Sequence, residues 1–401
     1  MEEGDYMKEE QIRQAHEYID GRREEILSLL EEFVNTPSCS REPEIMPAAT
    51  EWVCNLLKNE GFDVRTWEVG HGNAPVIVAD LKGQEEGRPV IFSGHYDTAL
   101  PRALSEQNPF RIEDGKVYGT GTLDMKGGIT IAIYAVRSAV LTGFKKPIRF
   151  VLAGDEEINH LESRAADIME EEAKGAICAF NMETGLINNK LAVFRKGGTR
   201  CRITTHGVEA HAGNDFTKGR SAIVEMAYKV VDIHGLTDLT VGTTMNIGTI
   251  NGGTIFNAVP AKCEAVVDMR FEKNEELEKA KKNLEAVCEK TYIDGTTTEM
   301  KYIDVMHVFE TTEGGLKLLE FLQETAKKTG LQEVGKAVLG GSSDAAYITM
   351  AGVPTVCSAG SMGEWNHTVR EYILQDSLTE RAKLYAGALL RIEEFEKMME
   401  Q

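Results

Sequence analysis

Basic residues are scarce in this 401-residue chain, which has 44 Lys and Arg against 64 Asp and Glu and a formal net charge of −20. A nucleic-acid-binding protein neutralises phosphates with Lys and Arg, so the charge argues against a nucleic-acid partner. It also argues against attraction to an anionic membrane surface. An acidic small substrate stays compatible with the sequence, because a few local Arg or Lys side chains can override the net field.

Long apolar runs and paired cysteines are also missing. No stretch approaches the roughly 18–20 apolar residues that a membrane-spanning helix needs. The chain starts with MEEGDYMKEE, which is acidic and not apolar, so we expect no signal peptide. The seven cysteines are scattered and form no CxxC motif, which indicates buried free thiols and no thiolate zinc site. Together these features predict a cytoplasmic protein.

What is present predicts an α/β fold. The chain is longer than one domain of roughly 100–200 residues, so two domains are expected. Periodic apolar positions predict a helix over residues 8–33. Short apolar runs then alternate with helical patterns, which indicates a sheet flanked by helices. The runs are 76–81, 89–93, 148–153 and 176–181, and the helical patterns are 129–141 and 161–173.

The middle of the chain has a different order of patterns. Strand-like and helical segments follow one another as β-α-β-β-α-β over about 110 residues, which is typical of a two-layer α+β module. The simplest architecture is one domain, residues 1–195 plus 306–401, interrupted by an inserted α+β domain, residues 196–305. A final helix is expected over residues 377–397.

The first candidate chemistry is at the end of the apolar run 89–93, where His95 and Asp97 follow. Residues i and i+2 of a strand share a face. Asp97 can therefore accept a hydrogen bond from one imidazole nitrogen of His95 while the other nitrogen meets a metal. A surface His–Asp pair is the alternative interpretation.

A second candidate is Asp124, which glycines flank in GTGTLDMKGG at the start of a predicted helix. Gly-rich turns before helices can bind anions. However, Asp124 would repel a phosphate, and the spacing differs from GxxxxGK[ST]. A carboxylate on a tight turn suits a cation better.

Further acids and a second histidine occur near or after strand-like runs: Glu156, Glu157, Glu183 and His367. Consecutive acids at a strand end are usually a solvated loop. The alternative is that one carboxylate binds a metal and its neighbour accepts a proton. Open α/β sheets bind ligands at the carboxyl ends of their strands. Mixed His and carboxylate ligands suit a catalytic zinc or cobalt centre.

The order of these motifs resembles that of the M20 metallopeptidases, and most closely their glutamate carboxypeptidase group, from about residue 25 to about residue 395. The resemblance implies a zinc-exopeptidase-like α/β fold, with a mixed sheet flanked by helices and an inserted α+β lid or dimerisation domain. The motifs that carry it are His95-x-Asp97, Asp124 in GTLDMKGG, Glu156-Glu157, Glu183 and His367.

The resemblance also implies a site that binds two divalent metal ions, Zn²⁺ first, with Co²⁺ or Mn²⁺ as alternatives. In the family pattern His95, Asp124 and Glu183 bind one ion. Asp124, Glu157 and His367 bind the other, so that Asp124 is the bridge.

Two neighbours of these ligands have other implied roles. Glu156 is the general base, and Asp97 orients His95. The Asp124–Met125 peptide bond is expected to be cis.

Within the inserted domain, three residues resemble those that contact the substrate. His211 is the second histidine of HGVEAHAG, and we interpret the first, His206, as structural. Asn257, in FNAVP, and Arg270, in VDMR, resemble lid residues that grip a substrate carboxylate. Arginine can do this bidentately. A surface strand Arg is the alternative for Arg270.

Two other segments resemble substrate-contacting positions. Gly341 and Ser342 are in GGSSDA, where the family has a Gly-rich substrate loop; a glycine or threonine is frequent where Ser342 or Ser343 falls. Lys190 has the spacing at which glutamate carboxypeptidases of this group place a lysine for a side-chain carboxylate, with a linker lysine as the alternative.

The implied function is hydrolysis of an amide bond next to a free carboxylate, by a C-terminal exopeptidase of the glutamate carboxypeptidase type. Two alternatives use the same scaffold: an N-acyl-amino-acid deacylase, such as an acetylornithine deacetylase, a desuccinylase or an aminoacylase, and a di- or tripeptidase. A non-catalytic binding protein is the remote alternative, although neither a ligand nor the base is lost. The implied partners are a small peptide or N-acyl amino acid and a second copy of the chain, joined through the lid domain.

Overall fold

The computed structural model describes residues 3–401, so the first two residues of the acidic start and of the predicted 1–195 segment lie outside the described residues. Contacts divide the chain into two units. Unit 1 comprises Met1–Phe194, Thr311–Leu339 and Ser343–Gln401. Unit 2 comprises Arg195–Glu310 and Gly340–Ser342.

The helices and strands are numbered in chain order. The helices are α1 (Glu3–Asp20), α2 (Arg23–Val34), α3 (Met46–Asn59), α4 (Arg102–Ser105), α5 (Lys126–Leu141), α6 (Ala165–Ala173), α7 (Ala222–His234), α8 (Asn274–Glu289), α9 (Glu313–Lys328), α10 (Ala345–Met350), α11 (Gln375–Leu390) and α12 (Ile392–Glu400). The strands are β1 (Asp63–Trp67), β2 (Val76–Leu81), β3 (Val90–His95), β4 (Arg111–Glu113), β5 (Lys116–Tyr118), β6 (Ile148–Ala153), β7 (Cys178–Asn181), β8 (Gly185–Leu186), β9 (Lys190–Arg195), β10 (Gly197–His206), β11 (Ala210–His211), β12 (Thr244–Gly252), β13 (Ala258–Val259), β14 (Lys262–Phe271), β15 (Thr297–Met306), β16 (Gly335–Leu339), β17 (Thr355–Val356), β18 (Met362–Glu364) and β19 (Tyr372–Leu374).

Unit 1 contains a six-stranded sheet in the order β1-β2-β6-β3-β7-β17. β1, β2 and β6 pair antiparallel, whereas β6, β3, β7 and β17 run parallel. Helices α3 and α6 pack against β1, β2 and β6, and α9 packs against β17. The predicted α/β fold, a mixed sheet flanked by helices, is therefore confirmed.

A row of aromatic side chains joins the central strands to a helix. Phe92 lies in register with Phe150 on one side and Phe180 on the other. Its ring centroid is 5.5 Å from that of Phe150 and 5.3 Å from that of Phe180. Tyr385 of α11 covers this row, with its ring centroid 5.0 Å from that of Phe180. Such pairs add about 0.5–1.5 kcal/mol beyond the burial of apolar area.

The same parallel strands bring several of the sequence-predicted site residues to one edge of the sheet. His95 ends β3 and pairs with Ala153, which ends β6. Because parallel strands finish at the same edge, the residues that follow β3, β6 and β7 meet there. A short 3-10 turn, Glu156–Ile158, follows β6 at this edge.

Unit 2 contains an antiparallel sheet in the order β12-β14-β10-β15, with α7 and α8 packed against it. Its chain order is the β-α-β-β-α-β order expected from the sequence, apart from the short strands β11 and β13. Along β14 buried residues alternate with partly exposed or exposed ones, as one covered face requires. β12 forms one edge of this sheet.

Two helices differ from the sequence-based expectations, and the cysteines agree with them. The helix predicted over 8–33 is two helices, because the chain turns at Gly21, where a glycine weakens the helix. The predicted final helix also divides, at Arg391. All seven cysteines are buried free thiols, as predicted. Among residues 3–401, no helix combines the length and apolar character needed to span a membrane.

Candidate active site

Asp97 contacts two parts of the candidate site, His95 and the turn that contains Glu156 and Glu157. His95 and Asp97 are fully buried. Nδ1 of His95 lies 3.3 Å from Asp97 Oδ1 and 3.1 Å from the Asp97 carbonyl oxygen. The Asp97 carboxylate also accepts the backbone N–H groups of Glu156, at 3.3 Å, and Glu157, at 3.0 Å. The Nε2 atom of His95 is thereby directed to the other acids.

Asp124 lies between two histidines and offers one oxygen to each. Its Oδ1 is 3.1 Å from His95 Nε2, and its Oδ2 is 3.0 Å from His367 Nε2. Glu183 Oε1 lies 3.5 Å from the same His95 nitrogen, and Glu157 Oε2 lies 3.1 Å from the same His367 nitrogen. The structure thus brings all five sequence-predicted ligands together as two sets that share Asp124. The Asp124–Met125 peptide bond is cis, as expected.

The residues fit divalent cations. Glu157 Oε1 is buried and has no hydrogen-bond partner within the described part of the chain. A buried carboxylate oxygen left in this way is costly unless a cation meets it. Ligand atoms lie within 4.8 Å of one another in two overlapping groups: His95, Asp124 and Glu157, and His95, Glu156 and Glu183. Imidazole with carboxylates is a donor set of catalytic zinc sites.

The dense negative charge changes the pKa values of the ligands. Burial opposes a charged His95, yet hydrogen bonds to Asp124 and Asp97 raise its pKa well above the usual value. The hydrogen bonds that His367 donates to Asp124 and Glu157 raise its pKa to about 11. Burial, with Asp124 nearby, raises the pKa of Glu157 to about 7. Metal binding displaces protons from such ligands, so it must weaken as the pH falls.

Glu156 is beside the ligands but has a different environment. Its Oε2 is 4.0 Å from His95 Nε2. Burial raises its pKa well above the usual value; His95 opposes this, and Glu183 and Asp344 add to it. A carboxyl group with a raised pKa accepts a proton more readily than an ordinary one.

Two buried groups at this edge were not predicted from the sequence. Glu371 is 2% exposed, and its carboxylate accepts backbone N–H groups from the loop before Asp124. His160 lies between two acids, with Nδ1 2.7 Å from Asp155 Oδ1 and Nε2 2.7 Å from Asp344 Oδ1. Neither residue belongs to a motif or has a ligand spacing. The backbone partners of Glu371, and Asp344 as one partner of His160, are far away in the sequence.

In unit 2, the segments of His211 and Asn257 are paired. His211 is opposite Ala258 in the β11–β13 ladder, and Ala212 N–H donates to the Asn257 carbonyl oxygen at 2.9 Å. His211 is exposed, and its Nδ1 accepts the backbone N–H groups of Gly213 and Asn214, each at 3.1 Å. With Nδ1 as acceptor, the proton of the neutral ring is on Nε2, which can donate to a ligand.

Unit 2 also brings Arg270 and Ser342 together. The Nη1 of Arg270 donates to Ser342 Oγ at 3.4 Å, while Nε and Nη2 bind Asp268 at 2.8 and 2.9 Å. A Cβ at Gly198 would come within 2.8 Å of Arg270 Nη1, so this glycine makes room for the guanidinium. Gly341 is exposed in the loop before Ser342.

Lys190 lies at the start of β9, and its stem is against Gly335 and not against the ligand cluster. Strand β9 pairs with β16. Its role as a partner of a substrate carboxylate stays a prediction.

The fold and the strand-end cluster are those of a metal-dependent hydrolase, and similarity to known proteins identifies its family. The model of peptidase family M20/M25/M40 matches residues 91–391. This match covers most of the chain, so the protein belongs to that family, as the motifs predicted. It is a hydrolase that acts on amide bonds, and its family consists of metal-dependent peptidases.

The names of the relatives that this chain resembles describe more than one activity. Carboxypeptidase G2 of Pseudomonas sp. (strain RS-16) is 28% identical over 374 residues, covering 91% of this chain and 88% of that protein. A succinyl-diaminopimelate desuccinylase of Pseudoalteromonas atlantica is 26% identical over 398 residues, covering 92% and 99%. The structure of a Staphylococcus aureus tripeptidase has a TM-score of 0.77 and 21% identity, covering 94% and 99%, and supports the fold alone.

Proposed function

We propose that this protein is a dinuclear metal-dependent C-terminal exopeptidase that cleaves an amide bond next to a free carboxylate. The observation that carries the proposal is the position of Asp124, whose two oxygens lie 3.1 and 3.0 Å from the Nε2 atoms of His95 and His367. A carboxylate that serves two histidine-containing ligand sets suits a pair of cations better than a single ion.

Each cation has its own protein ligands in this proposal. His95, Asp124 and Glu183 hold one ion, and Asp124, Glu157 and His367 hold the other. Zn²⁺ is the expected metal, with Co²⁺ or Mn²⁺ as alternatives. When bound, the ions would supply polarisation of the substrate carbonyl and would lower the pKa of the attacking water.

Protein groups carry the proton and the developing negative charge. Glu156 is the general base: its carboxylate takes the proton of the attacking water and returns it to the leaving amine. The raised pKa of Glu156, caused mainly by burial, suits both steps. Asp97 orients His95 through the Nδ1 contact. We assign His211 to the oxyanion, because its Nε2–H is the available donor.

Recognition of the free carboxylate is assigned to unit 2. Arg270 keeps its Nη1 edge next to Ser342 while Asp268 holds its other edge, which fixes the guanidinium plane. Asn257 and Gly341 complete the proposed carboxylate-binding group, and Lys190 is proposed for an acidic side chain. Unit 2 would therefore act as a lid that couples recognition to catalysis.

A homodimer formed through unit 2 is part of the proposal. On α7, Val224, Tyr228 and Val231 are 41%, 52% and 70% exposed and share one face of the helix. Next to this helix, the edge strand β12 exposes Ile250 by 50%. An apolar helix face beside an open strand edge suits pairing with a second copy of the chain. Light scattering should give twice the mass of the chain, about 89 kDa from 44.3 kDa per chain; a monomer with full activity contradicts the dimer.

The alternatives share the ligand cluster, so only substrates separate them. An N-acyl-amino-acid deacylase remains a candidate because of the desuccinylase relative. A di- or tripeptidase remains as well. A cytoplasmic location is likewise proposed, supported by the seven free cysteines.

The test is a substrate panel with enzyme loaded separately with Zn²⁺, Co²⁺ and Mn²⁺. Peptides ending in Glu, Asp or a neutral residue are compared with acetyl- and succinyl-amino acids by kcat/KM. We expect peptides with an acidic C-terminal residue to be preferred, and Lys190→Ala to remove that preference selectively. A higher kcat/KM for acyl-amino acids would favour the deacylase, and no turnover of any of these substrates in any metal form would contradict the proposal.

A further inference from the structure

A single buried carboxylate outside the ligand set connects two ligand-bearing loops of unit 1. The side chain of Glu371 is 2% exposed. Its Oε2 accepts the N–H of Gly121 at 3.0 Å, and its Oε1 accepts those of Leu123, at 2.8 Å, and Asp124, at 3.0 Å. Burial raises the pKa of this carboxyl group to about 8, and the three N–H donors oppose the rise. Glu371 therefore fixes the backbone immediately before and at Asp124.

The main chain of Glu371 belongs to the loop of the second histidine. It is four residues after His367, and its N–H donates to the Thr368 carbonyl oxygen at 3.2 Å. Its own carbonyl oxygen accepts from Asn108 Nδ2 at 3.1 Å. Glu371 is thus held in place by its own backbone, and its carboxylate is presented to the Asp124 loop from a fixed point.

The two loops meet again at their functional ends. Asp124 Oδ2 lies 3.0 Å from His367 Nε2, and Asn366 Nδ2 donates to the same oxygen at 3.0 Å. His367 is otherwise the most exposed of the proposed ligands, with a side chain 54% exposed. An exposed ligand on a loop depends on its attachment more than a ligand at the end of a buried strand does.

We propose that Glu371 is a positioning residue for the metal centre, which locks the Asp124 loop to the His367 loop so that both can bind one cation. The inference rests on the proposed function, because it concerns the ion held by Asp124, Glu157 and His367. That ion depends on both loops, whereas the ion held by His95, Asp124 and Glu183 depends on one. Loss of the Glu371 carboxylate therefore weakens the site of Asp124, Glu157 and His367 more than the site of His95, Asp124 and Glu183.

The test measures metal binding directly. Metal-free protein is titrated with Co²⁺ by calorimetry, and the visible spectrum of bound Co²⁺ is recorded in parallel. In Glu371→Gln an NH₂ group replaces one accepting oxygen, so at least one of the three backbone bonds is lost. We expect one Co²⁺ to bind about 10-fold to 100-fold more weakly, with the other changed less.

A matched control is available in unit 2. Glu225 is also buried, 1% exposed, and accepts the backbone N–H groups of Tyr292 and Ile293 at 2.9 and 2.7 Å. Glu225→Gln should lower the unfolding temperature of the metal-free protein but leave both Co²⁺ affinities and the spectrum unchanged. A purely structural role for Glu371 would give this same result.

The outcomes separate the inference from the proposed function. If wild type binds two Co²⁺ ions and Glu371→Gln binds both with unchanged affinity, the inference is wrong. If wild type itself does not bind two, the proposed dinuclear centre is wrong. Should Glu371→Gln fail to fold, Glu371→Asp keeps the charge but shortens the reach, and the same weakening is expected of it; unchanged affinities would again overturn the inference.

Discussion

The candidate metal-ligand cluster of unit 1 and the proposed substrate-contacting residues of unit 2 are built in different ways. In the cluster, His95 and Asp97 are fully buried and Asp124 is 7% exposed, although the side chain of His367 is 54% exposed. In unit 2, His211 and Asn257 are exposed on short strands and loops, beside Phe256, which is 97% exposed. A group of charges that must hold cations needs fixed, dry surroundings, whereas residues that meet a substrate must stay accessible.

The means of fixing the residues differ accordingly. Cluster residues are held by hydrogen bonds from other buried groups, such as those between Asp97 and the Glu156–Glu157 turn. Unit 2 residues are held mainly by backbone pairing of β11 with β13, and by the side chains of Asp268 and Ser342 in the case of Arg270. The comparison predicts that changes in the cluster abolish turnover, and that changes in unit 2 reduce turnover or affinity with the metal retained.

The largest effect is expected from Glu156→Gln. The amide cannot take up the proton, so kcat should fall by about 10⁴-fold, the upper range for a general base. Metal content, measured by mass spectrometry of the desalted protein, should stay that of wild type. A fully metallated variant that keeps its activity would refute the base assignment.

His211→Ala should have the next largest effect, on kcat rather than on metal content. Loss of one oxyanion donor typically costs about 10²-fold to 10³-fold. His206, on the same unit, is the matched control, and His206→Ala should keep kcat near the wild-type value. Steady-state kinetics of both variants decides between them: equal losses would mean that His211 is merely structural.

Arg270→Lys should act on KM, because lysine keeps the charge but loses the planar fork. A hydrogen bond to a charged group contributes about 1.5–3 kcal/mol, so KM should rise about 10-fold to 100-fold with kcat changed less. Arg202, an exposed arginine on β10 that pairs with Glu264 at 3.5 Å, is the control. Similar KM values for Arg270→Lys and Arg202→Lys would remove Arg270 from the recognition site.

The smallest effect concerns stability and pH. Lys126, next to the cluster, is 1% exposed and donates to the carbonyl oxygens of Phe33 and Thr36 at 3.0 and 2.7 Å. Burial lowers its pKa to about 7, although Glu371 opposes the shift. In the unfolded chain the pKa is about 10.4. Between these values Lys126 binds more protons in the unfolded state, so its contribution to the free energy of unfolding should rise with pH.

Lys126→Met should remove this rise. Urea unfolding of metal-free protein between about pH 7 and about pH 10 should give wild type about 1 kcal/mol or more of extra stabilisation that the variant lacks. Parallel pH profiles for the two proteins would show that Lys126 is not the group responsible.

The sequence predicted that the residues of the cluster lie close together, because several of them follow buried parallel strands that end at one edge. His95 ends β3, and the Glu156–Glu157 pair comes shortly after β6, so local patterns were sufficient. The place of His367 in the ligand set was implied only by the family resemblance, since the strands around it, β18 and β19, are three residues each and have no readable periodicity.

The supporting residues could not be predicted in this way. Glu371 meets Gly121 across 250 positions of the chain, and His160 meets Asp344 across 184. Neither pair has a spacing that a motif would reveal, and their importance depends on burial that only tertiary packing creates. The prediction of one helix over 8–33 was wrong for a different, local reason. Its apolar periodicity is correct, but a turn at Gly21 divides the segment into two helices.

The number of divalent cations bound per chain is the measurement that tests this account most directly. Protein saturated with Zn²⁺, desalted and assayed by mass spectrometry should contain two ions per chain. His367→Ala should contain one, because Asp124 still has His95 and Glu183 as partners on its other side. A single ion in wild type, or no loss of metal in His367→Ala, would contradict the account.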